Sequence, residues 1–156
     1  MSTAQRSNVD LNKLPSTKGK RFALVVSEWN SEITNNLKSG ARETLLSSGV
    51  KTKDIEEFNV PGSFELIHAC KVVSESLEFD AVISIGSIIR GETSHFDFVC
   101  HGVSSGIALL NANGKTPIIF CVLTDDNKQQ SINRSGGKYG NKGIEAAIAA
   151  IKMSSF

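Results

Sequence analysis

The sequence predicts a three-layer α/β/α domain with a four-stranded parallel sheet, on three observations. Four short apolar runs alternate with stretches of helical periodicity. The runs read as continuously apolar, as expected of strands covered on both faces. The 156 residues, 40% hydrophobic and 21% charged, make one domain that can bury about two-thirds of its unfolded surface without disulfides or a structural metal. Strand–helix alternation implies right-handed crossovers and helices on both faces of the sheet.

Residues 1–20 are polar and are expected to form a partly flexible N-terminal arm, able to add a strand to a neighbouring subunit's sheet edge. Residues 21–156 make the single domain. Its first strand is the run 21–27, Arg-Phe-Ala-Leu-Val-Val-Ser. Over 31–48, Ile33, Leu37, Ala41 and Leu45 recur every four residues on one helix face, and Gly49 stops that helix. A second strand over 54–60 ends at Pro61-Gly62. Ser63 then caps a helix whose stripe is Leu66, Cys70, Val73 and Leu77. The third strand runs from Asp80 through Gly86 into Ser87-Ile88-Ile89. Ser94 and Asp97 have the spacing of a capping box for a helix carrying Val99, Val103, Ile107 and Leu110 on one side. Gly102, Ser104, Ser105, Gly106 and Ala108 on that helix are small, which suggests close approach of another backbone, such as a neighbouring subunit's helix. The fourth strand is 117–123. A short helix over 127–133, a glycine-rich turn and a helix bearing Ile144, Ala147, Ile148 and Ile151 complete the chain.

Charge and composition exclude several classes. Seventeen Lys and Arg against sixteen Asp and Glu give +1, too balanced for a dedicated nucleic-acid binder. No apolar run approaches 18 residues, so no membrane span is expected. The polar start lacks a signal peptide's apolar stretch, and a cytoplasmic location is expected. Cys70, Cys100 and Cys121 are odd in number and far apart, without a C-x-x-C, and read as free thiols. Gly114-Lys115-Thr116 resembles the end of a phosphate loop, but Leu109 stands where its first glycine belongs. No G-x-G-x-x-G follows the first strand, and no serine is expected in a G-x-S-x-G elbow. No metal site is expected.

Ligands of open parallel sheets bind beyond the carboxyl ends of the strands. Here those ends are Glu28-Trp29-Asn30, Pro61-Gly-Ser-Phe-Glu65, Arg90-Gly-Glu-Thr-Ser-His95 and Thr124-Asp125-Asp126. They hold the only tryptophan and one of three histidines. Trp29 suits stacking on a planar ring; filling the end of the core is the equally weighted alternative. His95, in a helix's first turn, suits proton transfer near neutrality, against the plainer reading of a surface or capping histidine. Glu92 and Thr93 precede the same helix N-terminus, where exposed amides favour an anion. Arg134 or Arg90 could supply a phosphate's guanidinium.

Val60-Pro-Gly-Ser-Phe-Glu-Leu66, Gly86-Ser-Ile-Ile-Arg-Gly-Glu-Thr-Ser-His-Phe-Asp97, Val122-Leu-Thr124 and Asn133-Arg-Ser-Gly-Gly-Lys-Tyr-Gly-Asn-Lys-Gly143, in this order over nearly the whole chain, closely resemble the 6,7-dimethyl-8-ribityllumazine synthase family. The resemblance implies a flavodoxin-like fold and a transferase of riboflavin biosynthesis. That enzyme condenses 5-amino-6-(D-ribitylamino)uracil with 3,4-dihydroxy-2-butanone 4-phosphate, without metal or organic cofactor. By the resemblance Trp29, where phenylalanine is commoner, stacks on the pyrimidine, and Asn30 is the family's asparagine beside it. Ser63, Phe64 and Glu65 meet the ribityl chain, and the backbone of Ser87, Ile88 and Ile89 reads the uracil edge. Phe120 contacts the ring from an adjacent subunit. Glu92 and Thr93 meet the butanone phosphate, Arg134 binds its phosphate with Lys142 nearby, and His95 is the acid/base. The resemblance also implies pentamers with shared sites. The lack of an insertion between Arg134 and Gly143 permits a sixty-subunit shell, and the resemblance implies riboflavin synthase as a pathway partner.

Two other readings compete. A binding or shell-forming homologue with slow turnover is motivated by Trp29, whose larger ring could retain a flavin; His95 and Arg134 argue against it. An unrelated flavodoxin-like FMN protein needs a phosphate loop after the first strand, and Glu28-Trp-Asn-Ser31 is not one.

Overall fold

The computed structural model describes residues 10–156. The expected strand contribution of the first residues of the arm lies outside them. After a 3₁₀ turn at Leu11–Lys13 the chain runs β1 (Phe22–Ser27), α1 (Ser31–Ser47), a second 3₁₀ turn (Thr52–Asp54), β2 (Ile55–Val60), α2 (Leu66–Glu75), β3 (Ala81–Ile89), α3 (His95–Asn113), β4 (Ile118–Asp125), α4 (Lys128–Arg134), β5 (Ser135–Gly137), β6 (Gly140–Asn141) and α5 (Lys142–Met153). The strands β2-β1-β3-β4 form one parallel sheet, the expected α/β architecture. The glycine-rich turn contains a small antiparallel β5–β6 hairpin, which short-range pattern did not announce.

Strand alternation divides the core into two layers. Phe22, Leu24, Val26, Ile83 and Ile85 face α1 and α5, where Ile33, Leu37, Leu45, Ala147 and Ile151 meet them. Ala23, Val25 and Val82 face α2 and α3, against Leu66, Cys70, Val103 and Ile107. Each of the larger side chains, fully buried, contributes about 2–3 kcal/mol by leaving water. Gly49, at φ 93°, ends α1 as expected, its N–H donating to Leu46 O and that of Val50 to Leu45 O.

Not all strands are continuously apolar. β1 is buried at every position, but β2 alternates, with Glu57 and Asn59 exposed. The reason is topological: β2 is an edge strand, and polar residues suit an edge. Glu57 reaches α1, accepting from Lys38 Nζ and Arg42 Nη1, each at 3.1 Å.

Neither expected helix cap forms its side-chain bond. Ser63 does not cap α2; Glu65 occupies the cap position, and its carboxylate turns back to accept from Gly62 N at 2.9 Å. Ser94 stands at the cap position of α3 without a side-chain cap bond: its carbonyl accepts from Asp97 N at 3.0 Å, and the Asp97 carboxylate, the other half of a capping box, is held by Arg90. The stripe of α2 also stops before Leu77, which is 66% exposed at φ 57°. Ser76 Oγ donates to Val73 O and accepts from Glu78 N, spending helix-end groups on a turn. Two of the small residues on α3 serve this same chain rather than a neighbour: a Cβ on Gly102 or Gly106 would stand 2.8 Å from Phe64 or Ile67 respectively.

Candidate active site

The chain passes from β1 outward to β2, then back across β1 to β3, so the strand order reverses between β1 and β3. Open α/β sheets carry their binding crevice at the carboxyl ends of such a pair. Trp29 and Asn30 follow β1 there, and Ser87, Ile88 and Ile89 end β3. Asn30 joins the two: its Nδ2 donates to Ser87 O at 2.9 Å. Its backbone is left-handed, φ 57° and ψ 42°, a conformation asparagine tolerates better than most residues. Trp29 N donates to Pro61 O at 3.1 Å, and Glu28 N to Val60 O at 2.8 Å, which zips the β1 end onto the β2 end.

On that base Trp29 stands 67% exposed, its ring against Gly62. The indole is held by its backbone with much of its surface open, so the reading as a plug for the core does not fit. Ser63 is buried with Oγ against Gly86, whereas Phe64 and Glu65 face solvent. Ser87 and Ile88 are buried and Ile89 half-buried.

The next loop places Glu92, Thr93 and His95 on the exposed surface, His95 opening α3. Arg90 is not available to a phosphate. Its Nη1 and Nη2 donate to Asp97 Oδ2 and Oδ1 at 3.1 and 2.9 Å, and its Nε to Asp126 Oδ1 at 3.0 Å. The hydrogen bonds to Asp97 and Asp126 push its pKa up further. Arg134 is the freer guanidinium. Nη1 donates to Gln130 O at 3.0 Å and lies 3.8 Å from Asp125 Oδ1, and the Tyr139 ring sits 5.4 Å away. An arginine has five donors, so most of this fork remains for an oxyanion.

Of the other expected residues, one stands apart from this group and one is already paired. Phe120 pairs in register with Ser84, four residues before Thr124, which puts it about 13 Å back along the strand at about 3.3 Å per residue. It is 43% exposed. Lys142, at the start of α5, is held in an ion pair with Glu145 at 2.8 and 3.0 Å.

Several contributors were not singled out from sequence. Asp125 is buried and accepts from Ser131 Oγ at 2.8 Å while facing Arg134; its place in the strand-end list was the only signal. Asn141 caps α5 by accepting from Gly143 N at 2.8 Å, and its Nδ2 donates to Asn36 O. The residues Gly102-Val-Ser-Ser-Gly106 do spell G-x-S-x-G. The motif is no elbow: it lies inside α3, with Ser104 Oγ donating to Cys100 O at 2.7 Å. The three cysteines are free, and burial pushes the thiols of Cys70 and Cys121 up to about 12. Among the described residues no cluster could hold a metal ion, and no helix is long and apolar enough to cross a membrane.

Comparison with known proteins converges on one description. Residues 19–156 match the family model for 6,7-dimethyl-8-ribityllumazine synthase. A protein of that name from Christiangramia forsetii is 56% identical over 95% of this chain and 89% of its own length. Others from Flavobacterium johnsoniae, 57% identical over 95% of this chain and 78% of theirs, and from Parabacteroides distasonis, 49% over 100% and 99%, bear the same name.

Proposed function

The chain belongs to the 6,7-dimethyl-8-ribityllumazine synthase family, and from that premise we propose how its residues divide the reaction among them. The family's enzyme is a transferase of riboflavin biosynthesis: it joins 5-amino-6-(D-ribitylamino)uracil to 3,4-dihydroxy-2-butanone 4-phosphate, releasing phosphate and water.

Trp29 stacks on the pyrimidine, and the Asn30–Ser87 link fixes the strand-end backbone that meets its edge. Ser63, Phe64 and Glu65 hold the ribityl chain. Glu92, Thr93 and Arg134 receive the butanone phosphate, with the Lys142–Glu145 pair alongside. Amine attack on the ketone with loss of a first water, loss of phosphate, and ring closure with loss of a second water each move a proton. His95, exposed at the head of α3, carries that traffic, while Arg134 stabilises the departing phosphate. Holding both reactants together supplies much of the remaining acceleration. The observation that supports this reading is that Trp29-Asn30, Ser63–Glu65 and Ser87–Ile89 follow or close β1, β2 and β3 at the point where strand order reverses.

The assembly reading rests on three exposed features. Phe98 on α3 is 73% exposed, Leu109 is also exposed, and Phe120 lies on the free edge of the sheet. Packing between copies would cover these and carry Phe120 to a neighbour's rim. Pentamers, with a sixty-subunit shell as the larger state, fit this arrangement, with residues 1–20 as the arm and 21–156 as the domain. Riboflavin synthase as the consumer of the product and a cytoplasmic location complete the reading.

The test is turnover of the two substrates by wild type and Arg134→Ala, read by lumazine absorbance. The proposal expects the variant's KM for the butanone phosphate to rise at least about tenfold, as loss of a charge-assisted contact entails. An active, unaffected variant would remove Arg134 from the phosphate site. A wild type no faster than the spontaneous condensation, yet yellow with bound flavin, would favour the binding homologue.

A further inference from the structure

The segment that carries His95 has little local chemistry to hold it. Gly91, Glu92, Thr93 and Ser94 are all exposed, and the helix start has no side-chain cap. Its local hydrogen bonds are few: Asp97 N to Ser94 O at 3.0 Å, and weaker contacts of 3.4 Å from His95 N to Thr93 Oγ1 and 3.5 Å from Phe98 N to Ser94 O. Arg90 supplies what the segment lacks. Its guanidinium forks onto Asp97, two residues after His95, and lies 4.1 Å over the ring of Phe96, the residue between them. The other side of the same guanidinium is anchored on Asp126 through Nε, while its backbone N–H donates to Asp125 O at 3.0 Å. Asp125 in turn faces Ser131 and Arg134. Arg90 therefore fastens the first turn of α3 to the end of β4, next to the element that bears the phosphate-binding arginine.

We propose that Arg90 is a positioning residue for the reaction. It fixes the His95 turn against the end of β4 and so sets the place of the imidazole relative to Arg134. This rests on the synthase reading above and adds to it a residue that touches neither substrate. A lysine cannot replace it, because a single ammonium cannot fork onto Asp97, lie flat on Phe96 and reach Asp126 at once.

Two measurements on the intact protein test it. Hydrogen exchange reads the clamp without catalysis. In Arg90→Met, amides of residues 91–98 should exchange about tenfold faster than in wild type, with β1 and β3 unchanged. Kinetics read its use: kcat should fall about tenfold in Arg90→Met and less in Arg90→Lys, with the KM for the butanone phosphate changed less than about threefold. In a His95→Ala background the same Arg90→Met change should cost less than about twofold, since its effect passes through the imidazole. Unchanged exchange at 91–98 would overturn the clamp. So would an undiminished loss in the His95→Ala background, which would make the effect independent of His95. A KM increase at constant kcat would make Arg90 a phosphate ligand instead. Failure of the synthase reading looks different: no enzymatic lumazine from wild type, with exchange at 91–98 still raised by the variant.

Discussion

Trp29 is seated on Gly62. A Cβ at residue 62 would stand 2.6 Å from the indole Cε3 and 2.9 Å from Glu65 Oε2, and the same glycine's N–H is the donor that holds that carboxylate. One missing methyl thus accommodates the indole and this carboxylate together. Gly62→Ala is expected to displace both. The chain's only tryptophan reports it directly: its fluorescence should be quenched by the lumazine product at concentrations about tenfold or more above those needed for wild type, a common consequence of small misplacements in a site. Identical titrations would show that the ring does not need this seat.

Asn30 combines a left-handed backbone with a hydrogen bond across the crevice. Asn30→Ala loses the bond, about 1 kcal/mol, and must hold a left-handed alanine, about 1 kcal/mol more. Asn30→Gly loses the bond but adopts the backbone freely, so it should fall between wild type and the alanine variant in urea unfolding. A glycine variant less stable than the alanine variant would refute the backbone half of this account.

Gly143 and Gly40 lie where α5 meets α1, but their neighbours differ. A Cβ on Gly143 would run into the backbone carbonyl of Leu37, which cannot turn aside, whereas one on Gly40 would meet the side chain of Asn141 at 2.6 Å. Gly143→Ala should therefore cost about 3 kcal/mol, the upper part of the usual range for overpacking, and Gly40→Ala distinctly less. Unfolding midpoints of the pair measure the order, which a softer helix contact would reverse.

The buried thiols predict a stability trend in alkali. Folding raises Cys70 and Cys121 from the ordinary 9.0 to about 12. Above pH 9 the unfolded chain sheds those protons while the folded chain keeps them. The unfolded state then binds fewer protons, and stability falls as pH rises from 9 towards 12. The contribution is fully present below pH 9, and each thiol loses at most about 1.4 kcal/mol per pH unit within the window. The double variant Cys70→Ala, Cys121→Ala should show a shallower decline in urea midpoint between pH 8 and 10 than wild type. Parallel declines would contradict it.

Local pattern carried the reading of this sequence as far as local contacts reach. The four strands, the stripe Ile33, Leu37, Ala41 and Leu45, and the strand-end residues Trp29, Asn30 and His95 were legible because each follows from period or from position after an apolar run. The caps were not. Glu65 and Asp97 stand at plausible spacings, but their carboxylates bond elsewhere. For Asp97 the competitor is Arg90, whose other anchor, Asp126, lies 36 residues farther along the chain. The edge character of β2 was half visible in Glu56, Glu57 and Asn59, yet strand order decides it. The Lys142–Glu145 pair, by contrast, is an i,i+3 spacing that could have been read directly.

The displacement of Phe120 along β4 bears on how activity would scale under the proposed assembly. With Phe120 as the proposed ring contact, a lone chain holds it about 13 Å from the rim, and completing the ring-facing surface would take two chains. The number of finished sites would then be set by an association equilibrium, and specific activity would decline on dilution well before any subunit unfolds.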